Sequence, residues 1–391
     1  MGISARRAGP PLVAVTGTRG IPASWGGVER QCEELYSRLA ARGLNVLVYA
    51  RKGYVPEGTT AHRGVAVRTL PATASKYLEA FIHTFLCILD MAVRVRPAIV
   101  HIYGQGPCLF APLARLLMPR AKIFFTCGGL DWQRRKWPKP AAWIIRLGEF
   151  FSARLTHCRV MVSQALTDYY RARYGVECAT IPNGVSLPLP APLSVSDAVL
   201  STLGLAPRGY LVFVARLTPE KRAQDVIAAF LRSQREVKLA LVGDDASGGD
   251  TLRELRQAAG GDSGVVFCGY RFGEELAALY GGALAFVTAS ELEGMPLSLL
   301  EAMSHGLPCL ASDLTPHLEV LGSDYPWLFP VGDVAALGRL MDTVLSAPEG
   351  VLTEQGQAGK NRVTQNFSWD TAAASLERLY AEALSWRPCR L

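Results

Sequence analysis

The chain is expected to be an α/β protein of two doubly wound, Rossmann-like domains. Three observations predict it. Short apolar runs of strand length alternate with helix-length segments of 3.6-residue periodicity. The alternation stops once, in a proline-rich stretch near the middle, and then restarts. At 391 residues the chain is also too long for one ordinary core.

In the first half, residues 12–16 (LVAVT), 45–49 (NVLVY), 98–103 (AIVHIY), 122–126 (KIFFT) and 160–162 have the composition of buried strands. The pattern breaks at Asn183 and Gly184, and SLPLPAPLSVSD follows, with four prolines in the interval 188–207. It resumes with YLVFVAR at 210–216, KLALVGD at 238–244, VVFCG at 265–269, ALAFVTAS at 283–290 and PCLAS at 308–312. These breaks predict a first domain over 1–185, a linker over 186–207 and a second domain over 208–368. A C-terminal amphipathic helix over 369–391 is expected to pack back across the first domain.

Apolar residues make up 49% of the chain and charged residues 19%, which excludes disordered and fibrous classes. The nine cysteines are scattered with no CxxC pair, a pattern that fits a reducing compartment and neither a disulfide framework nor a zinc site. The opening MGISARRAGPPLVAV has no apolar signal-peptide region, so a cytoplasmic chain is expected. The most lipid-like stretch, 81–95, carries His83, Asp90 and Arg94 and is too short to span a bilayer; it is expected as a buried or surface-docking helix. Charge is divided unevenly. Residues 1–185 hold 25 Lys and Arg against 10 Asp and Glu, net +15, and residues 186–391 hold 16 against 24, net −8. The basic half suits an anionic surface, whether nucleic acid, an anionic lipid membrane or a phosphorylated acceptor.

Ligands of open parallel sheets bind beyond the carboxyl ends of the strands, so the loops there carry the chemistry. The first loop, GTRGIPASWGG at 17–27, has four glycines, and Gly26 and Gly27 stand at the start of a helix whose amides suit an anion. It has neither the GxGxxG spacing of a dinucleotide site nor the GK[ST] of a P-loop. In VARLTPEK, Arg216 ends a strand and Lys221 precedes a helix, two cations suited to a diphosphate or to solvent. The segment SELEGMPLSLLEAMSHGLPCLASD at 290–313 carries the most weight. Pro296 suits the first turn of a helix, which puts Glu293, Gly294 and Met295 at its mouth, with the Gly294 to Leu297 amides facing phosphate. Glu301 lies about a turn and a half further on among apolar neighbours, where it needs a partner: a ribose diol, or an arginine in the core.

The spacing of Glu293 and Glu301 within EGMPLSLLEAMSHGLP resembles the donor-site motif of glycosyltransferase family four, retaining enzymes of the GT-B fold. VARLTPEK is similar to the family's diphosphate clamp, LVGD supplies Gly243, IPNGV at 181–185 closes the first domain and FSWD at 367–370 opens the last helix. The resemblance spans essentially the whole chain. It implies two domains facing a cleft, the first on the acceptor side and the second holding the nucleotide sugar (UDP-, GDP- or dTDP-linked). In it Glu293 orients the sugar, Arg216 and Lys221 stabilise the departing diphosphate, and Gly26, Gly27, Gly243, Gly294, Met295, Pro296, Leu297 and Glu301 complete the donor site.

GTRGIPASWGGVER and GGLDWQRRKW further resemble a subgroup, including rhamnosyltransferases, that builds bacterial surface polysaccharide. That subgroup often has a His or Asp before GLDW, where this chain has Gly128, so no histidine is assigned to catalysis. No DxD triplet occurs, and no metal or other cofactor is expected. Arg134, Arg135, Lys136 and Lys139, interleaved with Trp132 and Trp137, suit a polyprenyl-diphosphate-linked acceptor at the inner face of the plasma membrane. No RNA-binding module accompanies them. The function expected is transfer of a hexose or deoxyhexose to a glycan or lipid-linked acceptor. A GT-B sugar epimerase and an inactive nucleotide-sugar-binding protein stay open as alternatives.

Overall fold

The computed structural model describes residues 11–24, 26–73, 78–134, 137–188, 191–233, 236–245 and 250–385. The chain forms two compact units, Met1–Asn183 with Trp369–Leu391, and Gly184–Ser368. Each is built on one sheet, and every strand pairing is parallel except at one edge of the first unit.

The first sheet contains β1 (Leu12–Thr16), β2 (Asn45–Arg51), β3 (Ala61–His62), β4 (Val65–Leu70), β5 (Ile99–Tyr103), β6 (Lys122–Cys127), β7 (Cys158–Met161) and β8 (Ala179–Thr180). Its order is β3-β4-β2-β1-β5-β6-β7-β8. The central strands β1, β5 and β6 are nearly all apolar because they are covered on both faces. Among the helices between strands are α1 (Gly27–Ala41), α2 (Glu79–Asp90, continued by a π-helical turn Met91–Val95), α3 (Ala111–Leu117) and α4 (Lys139–Leu155). No helix among the described residues is long and apolar enough to cross a membrane.

The second sheet contains β9 (Tyr210–Val214), β10 (Lys238–Val242), β11 (Val265–Gly269), β12 (Ala285–Thr288), β13 (Cys309–Ser312) and β14 (Leu328–Phe329), in the order β11-β10-β9-β12-β13-β14. In both sheets the first strand of the unit is flanked by later strands on each side. With right-handed crossovers, this reversal places helices on both faces, which is the doubly wound arrangement.

Two boundaries differ from the sequence-based expectation. The interval 186–207, expected as a linker, holds the helix Leu193–Thr202. Pro192 caps its start, and Val199 and Leu200 are buried. The proline run therefore marks the approach to a helix of the second unit. The strands leading into the candidate site also end early, at Val214 and Val242, so Arg216 and Gly243 belong to loops.

The last helix, Trp369–Ser385, belongs to the first unit. It buries Trp369, Ala372, Ala373, Leu376 and Tyr380, an apolar stripe of helical spacing. The Tyr380 hydroxyl meets His101 Nδ1 on β5, which Tyr36 on α1 approaches at 2.8 Å, and Thr126 Oγ1 lies 2.7 Å from His101 Nε2. Burial lowers the His101 pKa to about 3, so the ring is neutral and its two nitrogens are both engaged. Arg38 on α1 and Arg42 just after it pair with Asp370 and Glu377 at 3.1 and 3.2 Å at the rim of the same contact.

In the second unit, Gly243 follows β10 with φ +133°, and a Cβ there would stand 1.8 Å from the Ala215 carbonyl oxygen just beyond β9. Only glycine allows these two chain segments to approach so closely. The variant Gly243→Ala is expected to lose about 3 kcal/mol of stability in urea unfolding through backbone displacement. Unchanged stability would show that the two segments are free to separate.

Candidate functional site

In the second unit, β10 and β12 lie on opposite sides of β9, so the chains leaving β9 and β12 diverge at a topological switch point. Such divergence opens a crevice at the carboxyl edge of the sheet. Leaving β9, Ala215 donates its N–H to Val242 O at 3.1 Å and Leu217 to Asp244 O at 3.0 Å, with Arg216 between them and partly buried. A 3-10 turn, Pro219–Lys221, follows, and Arg222 takes the left-handed conformation (φ 51°) before the helix Ala223–Arg232. Leaving β12, the chain runs through Ser290 to Pro296 and enters the helix Leu297–Ser304.

Three bonds tie these two loops together. Glu291 N–H donates to Glu220 O at 3.0 Å. Arg222 donates through Nη1 to Glu291 Oε2 at 2.8 Å and through Nε to Asp225 Oδ2 at 2.6 Å. Lys221 Nζ forms an ion pair with Glu293 Oε1, and Ser290 Oγ donates to the same oxygen at 2.8 Å. The Lys221 and Glu293 side chains are only 17% and 11% exposed. Burial pushes the Glu293 carboxyl upward, but Lys221 first and His317 second pull it further the other way, leaving it below its ordinary value.

Behind this pair His317 is fully buried, and its pKa is lowered by that burial. His317 Nδ1 lies 2.9 Å from Ser312 O, and Ser312 Oγ donates to Ser290 O at 2.8 Å. A chain of contacts thus runs from His317 through Ser312 and Ser290 to Glu293.

Glu301 sits in the second turn of the helix Leu297–Ser304, flanked by buried Leu299, Leu300, Ala302 and Met303. Its carboxylate is partly exposed and accepts a long hydrogen bond of 3.3 Å from the Tyr280 hydroxyl. Burial and Glu301 together raise the Tyr280 pKa, which keeps that hydroxyl a donor. Pro296 stands one residue before the helix, at its cap rather than in its first turn; Gly294, Met295 and Pro296 are buried at the mouth, and Leu297 opens the helix. The structure therefore gathers Lys221, Glu293 and Gly294 to Leu297 on one edge. It sets Arg216 beside Gly243 on the adjoining strand exits.

Gly26 and Gly27 belong to the first unit. Gly26 caps α1 and Gly27 is its first residue. Their loop follows β1 at that sheet's own switch point. It turns at Gly17 (φ +96°), where a Cβ would stand 2.2 Å from Tyr103 O, and it is held to α1 by Arg19 N–H donating to Glu29 Oε1 at 3.0 Å.

The GGLDW loop is anchored by a residue that the sequence did not single out. Glu149 on α4 is fully buried and accepts from Gln105 Nε2 (2.6 Å), Trp132 Nε1 (2.7 Å), Tyr169 OH (2.9 Å) and Tyr174 OH (2.6 Å). Gln105 Oε1 in turn accepts from Asp131 N–H at 3.0 Å. Trp132, expected at a lipid interface, instead turns its N–H inward, and Arg134 pairs with Asp131 at 3.0 Å. Arg135 and Lys136 lie outside the described residues. At Gly128 an added Cβ would meet only Val28 Cγ2, at 3.5 Å, so packing does not impose glycine there.

Two further residues escaped the sequence reading. Tyr270, just after β11, donates its hydroxyl to Asp244 O at 3.2 Å and stacks on Phe272 with centroids 5.9 Å apart. Their position directly after a strand, in CGYRF, was the signal available.

The family model "Glycosyltransferase Family 4" matches residues 25–188, and "Glycosyl transferases group 1" matches 205–362. O-antigen chain mannosyltransferase B of Escherichia coli is 31% identical over 188 residues, 46% of this chain and 48% of that protein. D-inositol 3-phosphate glycosyltransferase of Salinispora arenicola is 33% identical over 198 residues, 47% of this chain and 43% of that protein. The chain thus spans about half the length of the curated relatives it matches. Sucrose-phosphate synthase from Thermosynechococcus elongatus shares the fold with a TM-score of 0.81 at 21% identity, over 96% of this chain and 99% of that one. Anabaena HepE, solved in complex with UDP and glucose, does so at 0.78 and 16%, over 95% and 99%. Two parallel α/β domains of GT-B type, each matched by a glycosyltransferase model, place the chain in this family: it belongs to the family four, group 1 glycosyltransferases.

Proposed function

We propose that the chain transfers a hexose or deoxyhexose from a nucleoside-diphosphate sugar to a glycan or polyprenyl-diphosphate-linked acceptor, with retention of anomeric configuration, in the synthesis of surface polysaccharide. The second unit holds the donor and the first serves the acceptor, at the inner face of the plasma membrane. The largely buried Lys221–Glu293 pair at the switch point carries this reading.

An ammonium has three donors, and Glu293 takes one, which leaves Lys221 able to reach a diphosphate as well. As the bond from the anomeric carbon to the phosphate oxygen breaks, negative charge grows on the leaving diphosphate. Arg216, Lys221 and the amides of Gly294 to Leu297 are fixed opposite charges for it. Glu293, kept ionised by Lys221, accepts from sugar hydroxyls, and Glu301 accepts from a ribose diol. Tyr270 and Phe272 offer a flat apolar surface on the same edge for the base. With two cations on the diphosphate and no DxD triplet in the sequence, no metal is required. An O-antigen mannosyltransferase among the relatives and solved neighbours bound to UDP or UDP-glucose support the donor class and the polysaccharide setting.

Calorimetry against UDP-, GDP- and dTDP-sugars tests the site. Lys221→Ala and Glu301→Ala are each expected to weaken the preferred donor by about a hundredfold, the scale of lost charged hydrogen bonds. Unchanged affinity in both would remove the site. Transfer is expected to persist in EDTA, and loss of activity restored by magnesium would overturn the metal-free reading.

The ion pair also sets a pH dependence. Because the folded-state pKa of Glu293 is depressed, its stabilising contribution is present above the unfolded carboxylate range and disappears as pH falls through the folded value. In Lys221→Met, burial loses its main opponent, with only His317 and Ser290 left against it, and ionised Glu293 becomes a cost. Urea unfolding is expected to show the variant about 3 kcal/mol weaker at pH 7, with the gap narrowing toward pH 4. A gap independent of pH would show that the pair does not govern this carboxylate.

A further inference from the structure

Two helices of the first unit present their apolar faces to water. On α2, Glu79, His83, Thr84 and Asp90 point inward beside Cys87 and Ile88, while Ile82 and Phe85 are exposed. On α4, Gly148, Glu149 and Ser152 point inward with Ile145 and Ala153, while Trp143, Ile144, Leu147 and Phe150 are exposed, Trp143 by 72%. A helix on the surface of a water-soluble domain ordinarily shows the opposite polarity. The inversion is stable because the inward polar groups are satisfied. Glu149 has the four donors described above, Asp90 receives Tyr49 OH at 2.7 Å and Arg68 at 3.0 Å, and His83 Nε2 lies 3.1 Å from Ala50 O.

The two helices are neighbours. Both pack against the turn Pro107–Phe110, where Phe110 lies 5.8 Å from Phe85, and α3, with Leu116 76% exposed, packs against α4. The charge around them has one sign. The acidic residues of 78–155 are Glu79, Asp90, Asp131 and Glu149; three are buried and Asp131 is paired with Arg134. Arg94, Arg115, Arg120, Lys139 and Arg154 are exposed.

We propose that α2, α3 and α4 form a monotopic docking face for an anionic lipid bilayer, with α4 lying in the plane of the interface. Trp143, Leu147 and Phe150 enter the boundary between headgroups and acyl chains, and Arg115, Lys139 and Arg154 meet the headgroups. An outward apolar stripe bordered by cations is the pattern of helices that lie on membranes, and neither helix is long enough to cross one. A second copy of the chain would set like charges against each other, so a bilayer suits the face better. The proposal rests on the lipid-acceptor reading above, but vesicle binding without donor or acceptor is a result separate from transfer.

The experiment is co-sedimentation of the full chain with phosphatidylglycerol vesicles, against phosphatidylcholine vesicles, at low and high salt. Wild type is expected to bind the anionic vesicles at low salt and to weaken at high salt. Each headgroup cation contributes roughly fivefold, so combined Arg115→Glu, Lys139→Glu and Arg154→Glu is expected to weaken binding by on the order of a hundredfold. Combined Trp143→Ser, Leu147→Ser and Phe150→Ser is expected to abolish it. Both variants should keep the wild-type circular dichroism spectrum and urea unfolding midpoint, which shows that the first unit folds. Absence of wild-type binding, equal binding to neutral vesicles, or either variant binding like wild type overturns the proposal. So does a dimer by ultracentrifugation that the serine variant converts to monomer, because the face then belongs to a second copy.

Discussion

A largely buried cation and a largely buried carboxylate hold together two loops that the topology of the second sheet drives apart. Lys221 follows β9 and Glu293 follows β12, and the sheet order sends their chains in different directions. Neither charge is tolerable alone at so little exposure, so each makes the other's position obligatory. The remaining contacts serve that alignment: Arg222 fixes Glu291, Ser290 reaches the same carboxylate, and Gly243 lets the β9 and β10 exits close on one another. The long-range field does not help an anionic ligand here, because residues 186–391 carry a net −8. Local cations at short range must overcome that background, and water screening weakens the distant acidic residues far more than it weakens a contact pair.

Much of the fold was legible because its central strands are covered on both faces and must be continuously apolar. β1, β5, β6, β9 and β10 were visible for that reason. β4 was not, since it lies next to the edge with alternate residues buried, and VAVRTL has Arg68 in its middle. The two-residue strands β3, β8 and β14 are too short to carry a pattern. At the candidate site, Glu293, Glu301, Arg216 and Lys221 were legible from residue type beside a helix start. The layer behind them was not. His317 and Ser312 act through distances set by packing, and nothing in TPHLEV distinguishes a histidine that backs a carboxylate from one that fills a core. Tyr280, the partner of Glu301, comes from another helix altogether.

Glu149 joins two parts of the first unit that would otherwise be unrelated. Its bond from Trp132, and its link through Gln105 to Asp131, seat the GGLDW loop, and its presence on the inner side of α4 leaves the apolar residues of that helix facing outward. One buried carboxylate therefore decides both where the loop after β6 rests and which side of α4 meets the surroundings. Helical periodicity alone could not reveal this, because an apolar stripe has the same spacing whichever way it faces.

The returning helix makes the second unit an insertion within the first. The chain leaves the first unit after Asn183 and rejoins it at Trp369, and the two ends of the inserted unit lie side by side, with Val185 N–H donating to Phe367 O at 2.9 Å. Tyr380 completes the core around His101, so damage to the last helix strikes the domain made from the amino-terminal sequence. During synthesis the first unit cannot close its core until the whole of the second has been made. Its half-built hydrophobic surface must wait through 185 residues of intervening chain, Gly184–Ser368, for the helix that covers it.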